Sequence, residues 1–181
     1  LGKAEWIKLF GYLTGKEKLA DHYFDQLVKS YQSLVTKAKK SATKPSVFSG
    51  NLIGEFWYTP AGESYLARMF QDANARYVYA KSKGTGSLAL SFEKVIAQNI
   101  HTEYWLNPGY TSLKEILSNN ASMQLFKCVK EQKVYCYSKN LNKFWELGAI
   151  EPDHVLSDLI RIFHPDLESD KPMFFYQKTC K

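Results

Sequence analysis

The chain has 181 residues, 45% of them hydrophobic and 15% aromatic, enough to bury the core of one domain or of a domain with an appendage. No apolar run reaches the roughly 18 residues that a membrane-crossing helix needs. The net charge of +6 comes mostly from lysine, but no Arg-rich segment, helix-turn-helix pattern or aromatic RNA-binding motif accompanies it, so nucleic acid is not the expected partner. A basic cleft for an anionic small molecule stays open.

Taken in order, residues 3–14 (KAEWIKLFGYLT) read as a short amphipathic helix with Trp6, Ile7, Phe10 and Leu13 on one side. Thr14 and Glu17 have the spacing of a capping box for the next helix, with Gly15 softening the break. That helix covers about Lys16 to Lys39, keeps a 3.6-residue period from Leu19 to Ala38, and is expected to span roughly 35 Å. Such length at the start of a small α/β domain looks like a strut reaching toward a neighbour. Lys37, Lys39, Lys40 and Lys44 cluster at its C-terminal end, where cations suit the helix dipole, and SATKP terminates it.

Val47 and Phe48 suit a buried strand. The stretch from Gly50 to Gly62, with Gly54 and Pro60, reads as a loop carrying Phe56, Trp57 and Tyr58, and a helix follows from Glu63 to Asp72. Arg76–Ala80 (RYVYA) is the second expected strand, KSKGTGSLAL its exit loop, and SFEKVIAQ a short helix beginning near Ser91. EYWLNPG gives a third strand, TSLKEILSNN and MQLFKCVK two helices, and KVYCYS a fourth strand. LNKFWELGAIEPD reads as a loop, HVLSDLIRIFH as a terminal helix capped by Asp153 and stopped by Pro165, and MFFYQ as a last short strand.

Strands alternating with helices indicate an α/β fold: a Rossmann-like, mainly parallel sheet flanked by helices and preceded by the long helix. The division expected is a helical segment over 1–40 and an α/β lobe over 45–181. In such a sheet, ligands bind where loops leave the carboxyl ends of the strands. Those loops hold Trp57, Tyr58, Lys81, Lys83, Tyr110, Asn142, Phe144 and Trp145. Their convergence predicts a cleft walled by Trp57, Tyr58, Tyr110 and Trp145, with Lys81 and Lys83 at its rim. The competing reading folds the aromatic triplet back onto the domain's own core.

Signals for chemistry are sparse. Gly84–Ala89 matches G-x-G-x-x-A, but it is not on the first strand–helix turn and no acidic residue ends the following strand, so a flexible loop is the plainer reading. Glu63 and Glu93 both fall at helix N-termini, where an acid stabilises the dipole, and that structural reading suffices for each; the functional reading has an exposed glutamate dock against a partner's arginine. Cys128, Cys136 and Cys180 form no disulfide framework, although a bridge from Cys128 to Cys136 stays open, and the four histidines show no metal-ligand spacing. No Ser-His-Asp set, P-loop or carboxylate pair argues for an enzyme, and no resident cofactor is expected.

The chain resembles the C-terminal half of the periplasmic substrate-binding proteins of ABC importers for iron-siderophores, haem and cobalamin. The likeness runs from GKEKLADHYFDQLVKSYQSL through FWYTPAGESYLARMFQDANARYVYA, SFEKVIAQ, WLNPG and FKCVKEQKVYCYSKN to FWELGAIEPDHVLSDLIRIFHPDL. The family has two Rossmann-like lobes joined by one long helix, which the segment 16–39 resembles. The resemblance implies a binding protein whose Tyr58 touches ligand beside Trp57, and whose Glu93, in an S-x-E-x-V-like pattern, pairs with an arginine of the importer permease. AGES departs from the more usual Gly-Gly before the serine. It also implies a missing N-terminal lobe, a metal-chelate ligand, and a periplasmic, lipid-anchored precursor, in keeping with a sequence that starts at Leu1 without Met or signal peptide. A nucleotide-using Rossmann enzyme, a chelatase-like lobe and a pure interaction module are the competing classes.

Overall fold

A computed structural model describes residues 1–137, 141–167 and 172–180. Its centre is a five-stranded sheet of β1 (Ser46–Ser49), β4 (Arg76–Tyr77), β6 (Tyr104–Leu106), β7 (Val134–Tyr137) and β8 (Tyr176–Lys178), in the order β4-β1-β6-β7-β8. The pairs β4–β1, β1–β6 and β6–β7 are parallel, and β8 closes the edge antiparallel to β7. Every residue of β1 is buried, as expected of a central parallel strand covered on both faces.

The aromatic stretch is not a loop. It forms β2 (Asn51–Ile53) and β3 (Phe56–Pro60), an antiparallel hairpin turning at Gly54, and β5 (Ser87–Ser91) pairs with β3 to complete a second, three-stranded sheet. The expected exit loop over 81–90 is therefore strand in its second half. Conversely, RYVYA is strand only at Arg76–Tyr77, after which the chain turns.

The helices are α1 (Trp6–Leu13), α2 (Glu17–Ala38), α3 (Tyr65–Asp72), α4 (Phe92–Asn99), α5 (Leu113–Asn119), α6 (Lys127–Lys130), α7 (Leu141–Leu147) and α8 (Pro152–Phe163). Three starts follow side-chain caps: Ser64 for α3, Ser91 for α4 and Ser112, in a full capping box with Glu115, for α5. Two expected caps fail. Thr14 closes α1 instead, donating its hydroxyl to the Phe10 carbonyl at 2.7 Å, and α8 begins with Pro152 at its first turn while Asp153 accepts a hydrogen bond from Ser30 of α2 at 2.8 Å. The expected loop over 141–153 contains α7, because LNKFWEL places apolar side chains at helical spacing.

Phe48 of β1 and Trp105 of β6 stack at 5.5 Å, Trp57 lies 5.3 Å from Trp105, and Phe126 packs 5.2 Å from Phe48. These rings join the hairpin to the central sheet. On the other face, α2 packs on α8, and Tyr31 donates to Asp72 of α3 at 2.7 Å. The carboxylate of buried Asp158 on α8 accepts the backbone N–H groups of Phe174, Phe175 and Tyr176, which holds β8 in place. Burial raises its pKa above the ordinary 3.8, and those three donors oppose the rise. Cys128, Cys136 and Cys180 are free, so the bridge left open between the first two is not formed.

Candidate functional site

In a doubly wound sheet the strand order reverses at one point, and loops leave it in opposite directions to open a crevice. Here that point lies between β1, flanked on its far side by β4, and β6. A cleft of about 500 Å³ opens there. Its floor is Ser49–Gly50–Asn51 after β1 and Asn107 after β6. One wall is Tyr65 and Leu66 from the start of α3 with Thr85–Ser87, and the other is Tyr137, Phe144 and Trp145.

The floor is shaped by two backbone conformations. Gly50 has φ +101°, and a Cβ there would collide with the Tyr58 carbonyl, so the hairpin crosses directly above it. Asn107 has φ +58° and approaches the Ser49 hydroxyl and the Tyr176 phenol through its amide nitrogen, at 3.4 and 3.5 Å. Its Oδ1 is buried without a partner. The aromatic wall is a contiguous set: Tyr137 stacks on Phe144 at 4.0 Å, and Trp145 meets Phe144 edge-on at 5.3 Å. Trp145 is 70% exposed, a large indole surface left facing the opening.

Lys3 is the one charged side chain among the described lining residues, and its ammonium sits 4.8 Å from the centre of the Tyr65 ring. Burial pushes the Tyr65 phenol up to about 12 and raises that of Tyr137 further. Both remain neutral near pH 7 and can donate or accept a hydrogen bond. Amides, hydroxyls and stacked rings suit recognition of a flat ligand, with apolar surface on the wall and polar groups on the floor.

Of the described residues expected at the site, the structure brings Trp145 and Phe144 to the cleft and leaves Trp57, Tyr58, Tyr110, Lys81 and Lys83 elsewhere. Trp57 is a correction: it is fully buried, because the alternation in FWYTP turns Trp57 and Thr59 inward and Phe56 and Tyr58 outward. Its indole N–H donates to the Ser49 carbonyl. Tyr58 is exposed on the outer face of the hairpin, and Tyr110 is half-buried against the main core, neither of them part of the cleft wall. Lys81 lines a separate groove at the edge of the sheet, and Lys83 is exposed on the turn before β5. The side chain of Asn142 lies outside the described residues. Glu93 is exposed in the first turn of α4, the helix N-terminus expected of it, whereas Glu63 precedes the cap of α3 and accepts the Gly84 N–H at 3.0 Å.

Sequence reasoning missed Ser49–Asn51, Asn107, Tyr65 and Tyr137. A glycine directly after a buried strand, and an asparagine before Pro-Gly, are the signals that could have marked the two floor positions. The G-x-G-x-x-A match does not sit on a strand–helix turn: Gly84 and Gly86 precede β5, an antiparallel strand, and no helix starts there to face a pyrophosphate.

An α/β lobe with an aromatic-walled cleft at its switch point defines a ligand-binding module. The sequence profile described as periplasmic binding protein matches residues 2–141, and the chain belongs to that family. It is 30% identical over 181 residues to an uncharacterised lipoprotein of Methanocaldococcus jannaschii, covering 98% of this chain and 42% of that one. A second uncharacterised lipoprotein of the same organism is 24% identical, with 98% and 47% covered. The chain thus spans less than half the length of these two relatives. Among solved structures, a possible iron-binding (periplasmic solute-binding) protein of Staphylococcus epidermidis matches with TM-score 0.70 at 18% identity, over 90% of this chain and 61% of that one. IsdE of S. aureus, solved with haem, matches with TM-score 0.69 at 19% identity, over 90% and 64%. At these identities the likeness is one of fold, and the fold is that of a lobe of periplasmic binding proteins.

Proposed function

We propose that this chain is the C-terminal lobe of the substrate-binding component of an ABC importer, and that it clamps a metal chelate of the ferric-siderophore, haem or corrin type. The observation that carries this reading is the cleft at the β1/β6 switch point, with the Tyr137–Phe144–Trp145 wall beside an uncharged floor. A planar or chelated ligand of that kind offers apolar faces for stacking and peripheral polar groups for Asn51, Asn107 and the hydroxyls. The families of neighbours favour it too, since one is solved with haem and another is described as the heme-binding protein RhuT of Roseiflexus. With Lys3 as the single charge among the described lining residues, the portion of ligand held here carries little charge, and what it carries is negative. A second lobe would supply the other half of the clamp, and the whole protein would work outside the cytoplasmic membrane on a lipid anchor, as the lipoprotein names of the relatives suggest.

Glu93 is the proposed contact to the permease, through an arginine on that partner. Replacing it with alanine is expected to leave ligand affinity unchanged and to lower transport in a reconstituted importer. Unchanged transport would remove it from the docking surface.

The test of the ligand role is titration of the protein with haem, cobalamin and ferric siderophores while tryptophan fluorescence is followed. Saturable quenching by one of them, lost in Trp145→Phe, is expected. Absence of a response to all three would reject the reading.

A further inference from the structure

The open edge of the central sheet carries a second concavity, remote in lining from the cleft. This groove of about 570 Å³ runs between β4 with the turn after it and the end of α4, and is lined by Arg76, Tyr77, Lys81, Gln98, His101 and Thr102 among others. Arg76, Lys81 and His101 are exposed, and no carboxylate is among the lining residues. Among the described residues, no hydrogen bond or ion pair engages these three side chains. One acid, Glu103, lies against the groove through the lining residue Ser46, and it is already engaged there: one of its oxygens accepts both the backbone N–H and the hydroxyl of Ser46, at 2.8 and 3.0 Å. The end of α4 is also partly quenched as an anion repellent. The Asn99 carbonyl accepts the Thr102 N–H at 2.9 Å, and the Ile100 carbonyl accepts the Lys127 N–H at 2.9 Å.

We propose that this groove is an oxyanion site that takes a phosphate-type group. A guanidinium with its full fork of N–H donors free, beside an ammonium and an imidazole, matches the three-oxygen face of a phosphate, which Arg can grip with two parallel hydrogen bonds. Gln98 adds an amide donor at the same surface. The site is independent of the proposed cleft ligand, because Lys81 and Arg76 line this groove and not the cleft. The phosphate belongs either to a soluble ester or to a lipid headgroup, and the two sources share this chemistry.

The experiment is a titration of the chain with inorganic phosphate at low ionic strength, reading backbone amide shifts by NMR, with the Trp145 indole as an internal control for the cleft. Saturable shifts at Arg76, Lys81 and His101 with the Trp145 signal unmoved are expected. The Arg76→Ala/Lys81→Ala variant is expected to weaken the response by about tenfold, and Arg76→Lys to weaken it less, since charge is kept while the fork is lost. Both substitutions are at exposed side chains, and an unchanged thermal melt verifies folding. Co-sedimentation with vesicles of anionic or zwitterionic phospholipid separates the sources: joint loss of phosphate and anionic-vesicle binding in the double variant identifies a headgroup, and loss of phosphate binding alone identifies a soluble anion. Shifts that do not saturate, or that persist in the double variant, would overturn the site and leave Arg76 and Lys81 as protection of the sheet edge against pairing.

Discussion

The indole nitrogen of Trp57 donates to the carbonyl oxygen of Ser49 at 3.1 Å, which fastens the hairpin to the end of the first sheet strand. That bond and the ring contacts around it hold the floor of the cleft in place. Replacing Trp57 with alanine should cost about 3–5 kcal/mol through the cavity it leaves. Trp57→Phe keeps most of the packing but orphans the Ser49 carbonyl, at about 1–3 kcal/mol. Urea unfolding of the two variants checks the order. A ligand that quenched Trp57 as strongly as Trp145 would contradict the buried position.

Gly50 is the second support of that floor. Its φ of +101° and the Tyr58 carbonyl beside it leave no room for a side chain. Gly50→Ala should therefore destabilise by at least about 2 kcal/mol, from the strained backbone together with displacement of the hairpin. Gly54→Ala shares the positive φ but meets open space, so its cost should be smaller. A side-by-side thermal melt distinguishes clash from conformational preference.

Trp145 should behave in the opposite way. It is largely exposed, so Trp145→Ala is expected to change stability by no more than about 0.5 kcal/mol. Loss of a stacking face should weaken a flat ligand by about 1 kcal/mol, or roughly fivefold. Calorimetric titration alongside a melt makes the comparison. A large fall in stability would show that the indole supports the fold more than the cleft.

Asp158 gives a pH test. Its folded-state pKa is raised, mainly by burial, so the native chain holds a proton more tightly than the unfolded chain does. Stability should then fall as pH rises from the ordinary carboxylate value of 3.8 through the raised one, and level off above it. Asp158→Asn removes this dependence, and the difference between the two proteins across that window isolates it. Asp158→Ala strands the three N–H groups of 174–176 and should cost about 3 kcal/mol or more.

What the sequence settled alone was local. The six-turn period of α2, the start of α4 near Ser91 and the β-rich runs at 46–49, 104–106 and 134–137 follow from side-chain spacing and backbone propensity, and these suffice for a mainly parallel α/β lobe. The family likeness was legible for the same reason, since its motifs are contiguous. Trp57 shows where locality ends. Three adjacent aromatics look alike in sequence, but pairing of Trp57 with Leu52 and Leu90 across the small sheet decides which of them is inside. The same pairing turned SLALS from loop into strand. Lys81 and Trp145 were expected on one rim, and only the early end of β4 and the folding of 141–147 as helix separate them. Which face a side chain occupies depends on partners distant along the chain, and that information exists only once the strands have found their register.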